Sequence, residues 1–315
     1  MLNLLYCFDT NYNFQAFTSM FSVLKNTSNQ VNIYIIHQNE TNFEFIPKKI
    51  LNHKNLSEIN VYKFENKNYE FPNIEGTHVS EATYYRIFLE DYLPPSVKEI
   101  VYLDADIVCV NDPYNSLINE VKNLKKSTYV ISSKTEHLRK DSPDNFLRLS
   151  MKSEKYFNAG VMIIDLKKWK KQDVKNKTMK ILSKSSDSLK FWDQDLLNIS
   201  FDGNYKDLKE SFNKVIDLAS YEYLNYSVTE EEFIKDICLV HYAGSHKPWN
   251  INGILCNLSE FYQTNYRFLM DGHYHITHKM KRLSIFYLLK SFINLEFFKT
   301  KQPLRLFRDF VNSLI

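Results

Sequence analysis

Short apolar runs that stop on carboxylates recur along this 315-residue chain and limit what it can fold into. Leu2-Asn3-Leu4-Leu5-Tyr6-Cys7-Phe8 stops at Asp9, and Ile100-Val101-Tyr102-Leu103 stops at Asp104. Each reads as a buried strand whose end opens into a polar loop. Between them, Phe14, Phe17, Met20, Phe21 and Leu24 fall at helical spacing across residues 14–25. Val31 to Ile36 is β-branched, and Ile59 to Phe64 alternates as a strand does. Ser80 to Leu89 reads as a helix with Ser80 as its N-cap, and Pro94-Pro95 breaks the chain before the next strand. This alternation predicts an α/β fold with a mostly parallel central sheet flanked by helices. Ligands of such sheets bind beyond the carboxyl ends of the strands, where Asp9, Asp104 and Asp106 stand.

Asp104 and Asp106 lie one residue apart inside the apolar stretch Val101 to Val110. Two like charges placed there need a positive partner, because burying unpaired carboxylates costs several kcal/mol. A hard divalent cation, Mn²⁺ or Mg²⁺, would serve and would also bridge to phosphate oxygens. The competing reading is a strand end whose aspartates cap a helix or pair with lysine. Leu239-Val240-His241 is a further apolar run, followed by Gly244, Lys247 and Pro248-Trp249. His241 would complete an Asp/Asp/His set, and Lys247 would meet a diphosphate as a point charge; a lone histidine is otherwise commonly structural.

Two further segments carry polar groups among apolar ones. In Phe157-Asn158-Ala159-Gly160-Val161, Asn158 opens a buried run, and Ala159-Gly160 permits close backbone approach to a ligand. Phe191-Trp192-Asp193-Gln194-Asp195 opens a helix, in which Asp193 is either a functional acid or an ordinary N-cap.

Composition removes several classes. Six glycines and eight prolines exclude collagen-like and low-complexity chains. The four cysteines Cys7, Cys109, Cys238 and Cys256 show neither CxxC spacing nor zinc-site histidines, so a reducing, cytoplasmic setting is expected. The N-terminus lacks a basic region followed by an apolar one, and no run of 18 apolar residues occurs, so neither a signal peptide nor a spanning helix is expected. The net charge of +3 is uneven: residues 279–315 hold eight basic residues against two acids, +6, which leaves −3 for the body. An acidic body argues against a nucleic-acid partner. The basic, aromatic tail suits a helix lying on an anionic membrane surface; the alternative is a helix packed on the body.

Taken in order, six motifs form one set. They are Phe8-Asp9-Thr10-Asn11-Tyr12, Thr83-Tyr84-Tyr85-Arg86, Tyr102-Leu103-Asp104-Ala105-Asp106, Phe157-Asn158-Ala159-Gly160-Val161, Trp192-Asp193-Gln194-Asp195 and His241-Tyr242-Ala243-Gly244-Ser245-His246-Lys247-Pro248-Trp249. The set resembles the retaining glycosyltransferase family 8, which includes bacterial lipopolysaccharide galactosyl- and glucosyltransferases and the glycogenins. The resemblance covers about residues 1–255. It implies a nucleotide-sugar-binding GT-A domain over 1–255, a connecting segment over 256–278 and a helical tail over 279–315. It further implies a UDP-hexose donor, Mn²⁺ (or Mg²⁺) and a glycan or lipid-linked glycan acceptor, with the enzyme on the inner face of the cytoplasmic membrane. Matching positions put Asp104, Asp106 and His241 on the metal, and Asp9, Asn11 and Tyr12 on the nucleoside. They put Gly244 and Lys247 on the diphosphate, and Arg86, Asn158, Asp193 and Gln194 around the donor sugar, Gln194 and Asp193 being the catalytic pair.

There are departures from the family pattern. Bulky Phe8 replaces a small residue, Thr10 stands where an acid is frequent, and Tyr129 to Lys134 lacks an expected acid after its strand. Three other readings compete: a self-glucosylating primer of the glycogenin kind, a UDP-sugar-binding protein without turnover, and a metal phosphohydrolase.

Overall fold

The computed structural model describes residues 1–66, 69–72, 80–136, 144–185, 188–221 and 230–315. Ten strands are described: β1 (Leu2–Phe8), β2 (Val31–His37), β3 (Leu56–Lys63), β4 (Glu99–Leu103), β5 (Ile107–Cys109), β6 (Ile131–Thr135), β7 (Phe157–Asp165), β8 (Lys206–Asp207), β9 (Lys214–Ile216) and β10 (Leu239–Tyr242). Seven of them form one sheet in the order β3-β2-β1-β4-β7-β6-β8.

Side-chain alternation buries this sheet on both faces. Leu4, Tyr6 and Phe8 of β1 enter the core beneath the helix Asn13–Asn26, together with Phe17, Met20 and Leu24. Leu5 and Cys7 enter the opposite core, which the helices Val174–Ser185 and Trp192–Phe201 help to cover. The apolar runs of the sequence are therefore two-sided strands.

Strands β3, β2, β1 and β4 are parallel, as are β6 and β8. β7 departs from the expected pattern: it lies antiparallel between β4 and β6. An apolar run marks a strand but carries no direction, so sequence could not supply this. The reversal sets the first residues of β7 beside the carboxyl end of β4, with Leu103 opposite Val161. Asp104 N then donates to Gly160 O at 2.9 Å.

The helix expected over Ser80 to Leu89 is a 3₁₀ helix over Glu81–Phe88 that passes into an α-helical turn, Leu89–Tyr92. Ser80 does cap it, accepting from Ala82 N at 3.3 Å. Residues three apart eclipse one another in a 3₁₀ helix. That geometry brings Thr83 under Arg86, whose Nε and Nη2 donate to Thr83 O and Oγ1 at 3.1 and 3.0 Å.

A second sheet has the order β5-β10-β9. β10 runs antiparallel to β5, with His241 opposite Ile107, and parallel to β9, with His241 opposite Val215.

Residues 256–278 hold a packed helix, Glu260–Leu269, that buries Tyr262, Gln263 and Leu269 against the body. The tail forms two helices, Lys281–Ile293 and Pro303–Leu314. Their Leu288, Leu306 and Phe310 pack with Ile251 and Ile254, while Phe286, Leu289, Ile293 and Leu304 are exposed. Docking on the body and an outward apolar face therefore coexist. Among the described residues no helix is long and apolar enough to cross a membrane. All four cysteines are free thiols.

Candidate active site

A cleft opens at the carboxyl ends of β1 and β4, lined among others by Cys7, Tyr12, Thr83, Asp104, Asp106 and Lys247.

Three expected metal ligands meet beside it. One ligand atom from each of Asp104, Asp106 and His241 lies within 4.8 Å of the others, the one such cluster among the described residues. Asp104 and Asp106 arrive on the turn between β4 and β5, closed by Ile107 N to Asp104 O at 3.2 Å. His241 arrives through the β10–β5 ladder, with Tyr242 N on Asp106 O at 3.2 Å.

The donor set fits a hard divalent cation. Asp106 Oδ1 is buried, has no hydrogen-bond partner among the described residues, and stands 3.4 Å from His241 Nε2. Its Oδ2 accepts from Lys247 Nζ at 2.8 Å. Burial pushes the Asp106 pKa up, but Lys247 and His241 outweigh it and hold the carboxyl well below the usual range. An ionised oxygen without a donor, beside an imidazole, suits Mn²⁺ or Mg²⁺.

Arg86 is buried beside this cluster and has all its reach taken by protein. It bridges Asp104 (Nη1 to Oδ1, 3.1 Å) and Asp193 (Nε to Oδ2, 2.5 Å), donates to Ala159 O at 2.6 Å, and lies 4.3 Å over the Tyr102 ring. Burial opposes its charge, yet Asp104 and Asp193 raise its pKa further. The structure therefore makes it an organiser of two carboxylates. Tyr102 OH donates to the same Asp104 oxygen at 2.5 Å.

Asp193 is not the N-cap; Phe191 holds that position, and Asp193 sits within the first turn of the helix Trp192–Phe201. Its carboxylate turns inward to Arg86 and to the Thr83 hydroxyl. Burial raises its pKa to about 6, against the pull of Arg86 and Thr83. Gln194 is half-buried, its Oε1 accepting from Ala159 N at 2.9 Å and its Nε2 donating to Tyr156 OH at 3.2 Å. Asp195 is a clamp: it accepts from Arg148, Tyr156 OH and the amides of Lys190 and Phe191.

The close approach expected at Gly160 is made by the protein itself. A Cβ there would stand 2.4 Å from His241 Cε1, so only glycine admits the ring in this position. Asn158 is buried and its amide faces protein groups: Oδ1 accepts from Gly160 N and Asn213 Nδ2, both at 2.9 Å, and Nδ2 donates to Glu136 at 2.7 Å.

On the nucleoside side, Asp9 caps the short turn Thr10–Tyr12, its Oδ1 accepting from Asn11 N (2.9 Å) and Tyr12 N (3.2 Å). Asn11 is exposed, and Tyr12 packs edge-on against Trp249 with centroids 6.5 Å apart. The bulky Phe8 also lines the cleft. Its ring packs in the core with Phe17 and His37, at 6.2 and 5.1 Å. Thr10 hydrogen-bonds Asn39. Gly244 has φ +80°, and a Cβ there would meet Asp217 at 2.7 Å. Lys247 Nζ, besides Asp106, donates to Tyr242 O at 2.6 Å.

Three residues went unread in the sequence. β6 runs to Thr135, and an acid, Glu136, follows it directly and holds Asn158. Asn213 Oδ1 accepts at His241 Nδ1, 3.0 Å away, and Asp217 abuts Gly244. Nothing in the local pattern around Asn213 marks it, since it follows a three-residue turn, Glu210–Phe212, far from every motif.

The chain is similar to several known proteins. A putative glycosyltransferase of Haemophilus influenzae is 25% identical over 264 residues, 79% of this chain and 73% of that protein. The lipopolysaccharide 1,2-glucosyltransferase of Escherichia coli K12 is 29% identical over 259 residues, with the same two coverages. The crystal structure of the galactosyltransferase LgtC with donor and acceptor sugar analogues superposes with a TM-score of 0.70 at 18% identity, covering 90% of this chain and all of that one; it shows that the fold is shared with a GT-A enzyme. The model of glycosyl transferase family 8 matches residues 3–253. A match of that extent, over both sheets and all six motifs, shows that the chain belongs to glycosyl transferase family 8.

Proposed function

We propose that the chain is a metal-dependent, retaining hexosyltransferase that moves galactose or glucose from a UDP-sugar to a glycan or lipid-linked glycan. The observation that carries this reading is the meeting of Asp104, Asp106 and His241 beside Lys247 at one end of the cleft. The names of the relatives, a lipopolysaccharide glucosyltransferase and a galactosyltransferase, support the hexose.

Asp104, Asp106 and His241 would hold Mn²⁺ or Mg²⁺, which supplies positive charge against the charge developing on the leaving diphosphate. Lys247 and the Gly244 backbone would bind that diphosphate, and Lys247 opposes the same charge as it forms. Asp9, Asn11 and Tyr12 would receive the nucleoside at the turn that Asp9 caps. Asp193 and Gln194 would face the donor sugar, with Arg86 and Asn158 fixing the groups around it. Gln194 is a neutral amide tied to Ala159 N and Tyr156, a poor nucleophile. The reading is therefore front-face attack, with Gln194 opposing charge at the anomeric carbon and Asp193 holding sugar hydroxyls.

A panel of UDP-sugars tests the proposal, because donor hydrolysis requires no knowledge of the acceptor. UDP release from UDP-galactose or UDP-glucose is expected with Mn²⁺ and is expected to vanish in chelator. Equal turnover in chelator overturns the metal assignment, and release of inorganic phosphate favours the phosphohydrolase. Mass gain of the protein itself with UDP-glucose would point to a self-glucosylating primer.

The tail belongs to the proposal as a docking face for an anionic membrane surface at the inner face of the cytoplasmic membrane. Its support is the pairing of exposed Phe286, Leu289 and Ile293 with the +6 charge of residues 279–315. Deleting the tail would uncover Ile251 and Ile254, so substitution is the better test. The triple variant Phe286→Asp, Leu289→Asp, Ile293→Asp is expected to lose sedimentation with phosphatidylglycerol vesicles while retaining UDP release. Undiminished sedimentation contradicts the docking face.

A further inference from the structure

A chain of buried amides runs from Gly160 to His241 and fixes more than position. The Gly160 N–H can only donate, and it meets Asn158 Oδ1 at 2.9 Å. That oxygen is therefore an acceptor, and the Asn213 group 2.9 Å from it must be the NH₂ end of the amide. Asn213 then turns its oxygen to His241 Nδ1, 3.0 Å away. An oxygen there requires a proton on His241 Nδ1, so in the neutral ring the Nε2 lone pair faces Asp106 Oδ1 at 3.4 Å. Glu136 anchors the far end through Asn158 Nδ2, so Asn158 cannot flip without losing both bonds. Asn213 is fully buried, its backbone amide bonded to Glu210 O, and the His241 ring lies in the space a Cβ at Gly160 would need.

We propose that Asn213 is a positioning residue that sets the His241 tautomer, so that Nε2 presents a lone pair toward the carboxylates before any cation arrives. The inference rests on the metal reading of Asp104, Asp106 and His241. Without the Asn213 oxygen, imidazole would divide between its two neutral tautomers, and the one with a proton on Nε2 cannot ligate through that nitrogen. Hydrogen-bond partners of ligating histidines commonly change metal affinity by about 10–100-fold.

Long-range ¹H–¹⁵N correlation spectra of the metal-free, histidine-labelled protein test this directly, with the His241 signals identified by their loss in His241→Gln. The expected wild-type pattern is a proton on Nδ1. Asn213→Leu keeps the volume and leaves Asn158 bonded to Gly160; it is expected to shift the pattern toward a proton on Nε2. The same variant is expected to weaken Mn²⁺ binding, titrated with the metal alone, by about 10–100-fold. Asp106→Asn serves as the reference. If Asp106→Asn loses Mn²⁺ while Asn213→Leu keeps both tautomer and affinity, the positioning role is overturned and the metal reading stands. If neither variant changes Mn²⁺ binding, the metal reading itself fails. A wild-type ring with its proton on Nε2 overturns the inference whether or not Asn213→Leu folds.

Discussion

Asp106→Asn is expected to reduce Mn²⁺-dependent UDP release by about 10³-fold, near 4 kcal/mol of lost transition-state stabilisation. The substitution keeps size and an acceptor for Lys247 Nζ but removes a charge that faces the Lys247 ammonium. Lys247 lies 2.8 Å from one oxygen, His241 3.4 Å from the other, and together they keep the carboxylate ionised despite burial. Asparagine cannot supply that charge to a divalent ion, and it leaves the buried Lys247 with a weaker partner. Some loss of stability should accompany the loss of activity, because a buried cation stripped of its counter-charge is costly. Assays well below the melting temperature, with far-UV circular dichroism alongside, separate the two effects. Wild-type enzyme in chelator should fall to the level of the variant. Activity within about threefold of wild type would remove Asp106 from the reaction.

The largest stability effect is expected at Arg86. Arg86→Met keeps the length and apolar stem of the side chain but leaves Asp104 and the fully buried Asp193 without their shared cation. Removing one partner of a buried ion pair costs about 3–5 kcal/mol. At about 2–4 °C per kcal/mol in a domain of this size, the melting temperature should fall by roughly 10 °C. The loss should depend on pH in a stated direction. Burial already lifts Asp193 to about pKa 6 in the presence of Arg86. A carboxyl raised in the folded state favours folding while it is protonated and loses that contribution as pH rises through its folded value. Without Arg86 the folded value climbs further, so the variant should keep losing stability into the neutral range, where wild type has levelled off. Urea unfolding at pH 5.5 and 7.5 measures this; the gap between the proteins should be smaller at the lower pH. Equal stability at both values would mean that Arg86 does not neutralise the pair.

Both effects come from groups whose identity was visible in the sequence but whose partnerships were not. Arg86 was read as a neighbour of the donor sugar because of its motif. The 3₁₀ geometry beneath it, with Thr83 eclipsed three residues before, also ties it to Asp104 and Asp193. Asn158 was read the same way, and its amide is held between Glu136, Gly160 and Asn213. Phe8 was noted as bulky where the family pattern has a small residue, and strand alternation sends its ring to the opposite side of β1 from Cys7.

What the sequence determined by itself is local. Apolar runs ending on Asp9 and Asp104 specify buried strands with polar carboxyl ends, helical spacing specifies Asn13–Asn26, and the Asp-x-Asp pair marks where charge must be neutralised. Those signals have periods of a few residues, and each is complete within its own segment. Tertiary structure alone decided the direction of β7, the pairing of β10 with β5 that carries His241 to Asp106, and the amide chain through Asn213. The physical reason is that periodicity records which face of an element is buried. Which element it is buried against is settled by pairing and packing between segments far apart in the chain, where a single asparagine gives no pattern to read.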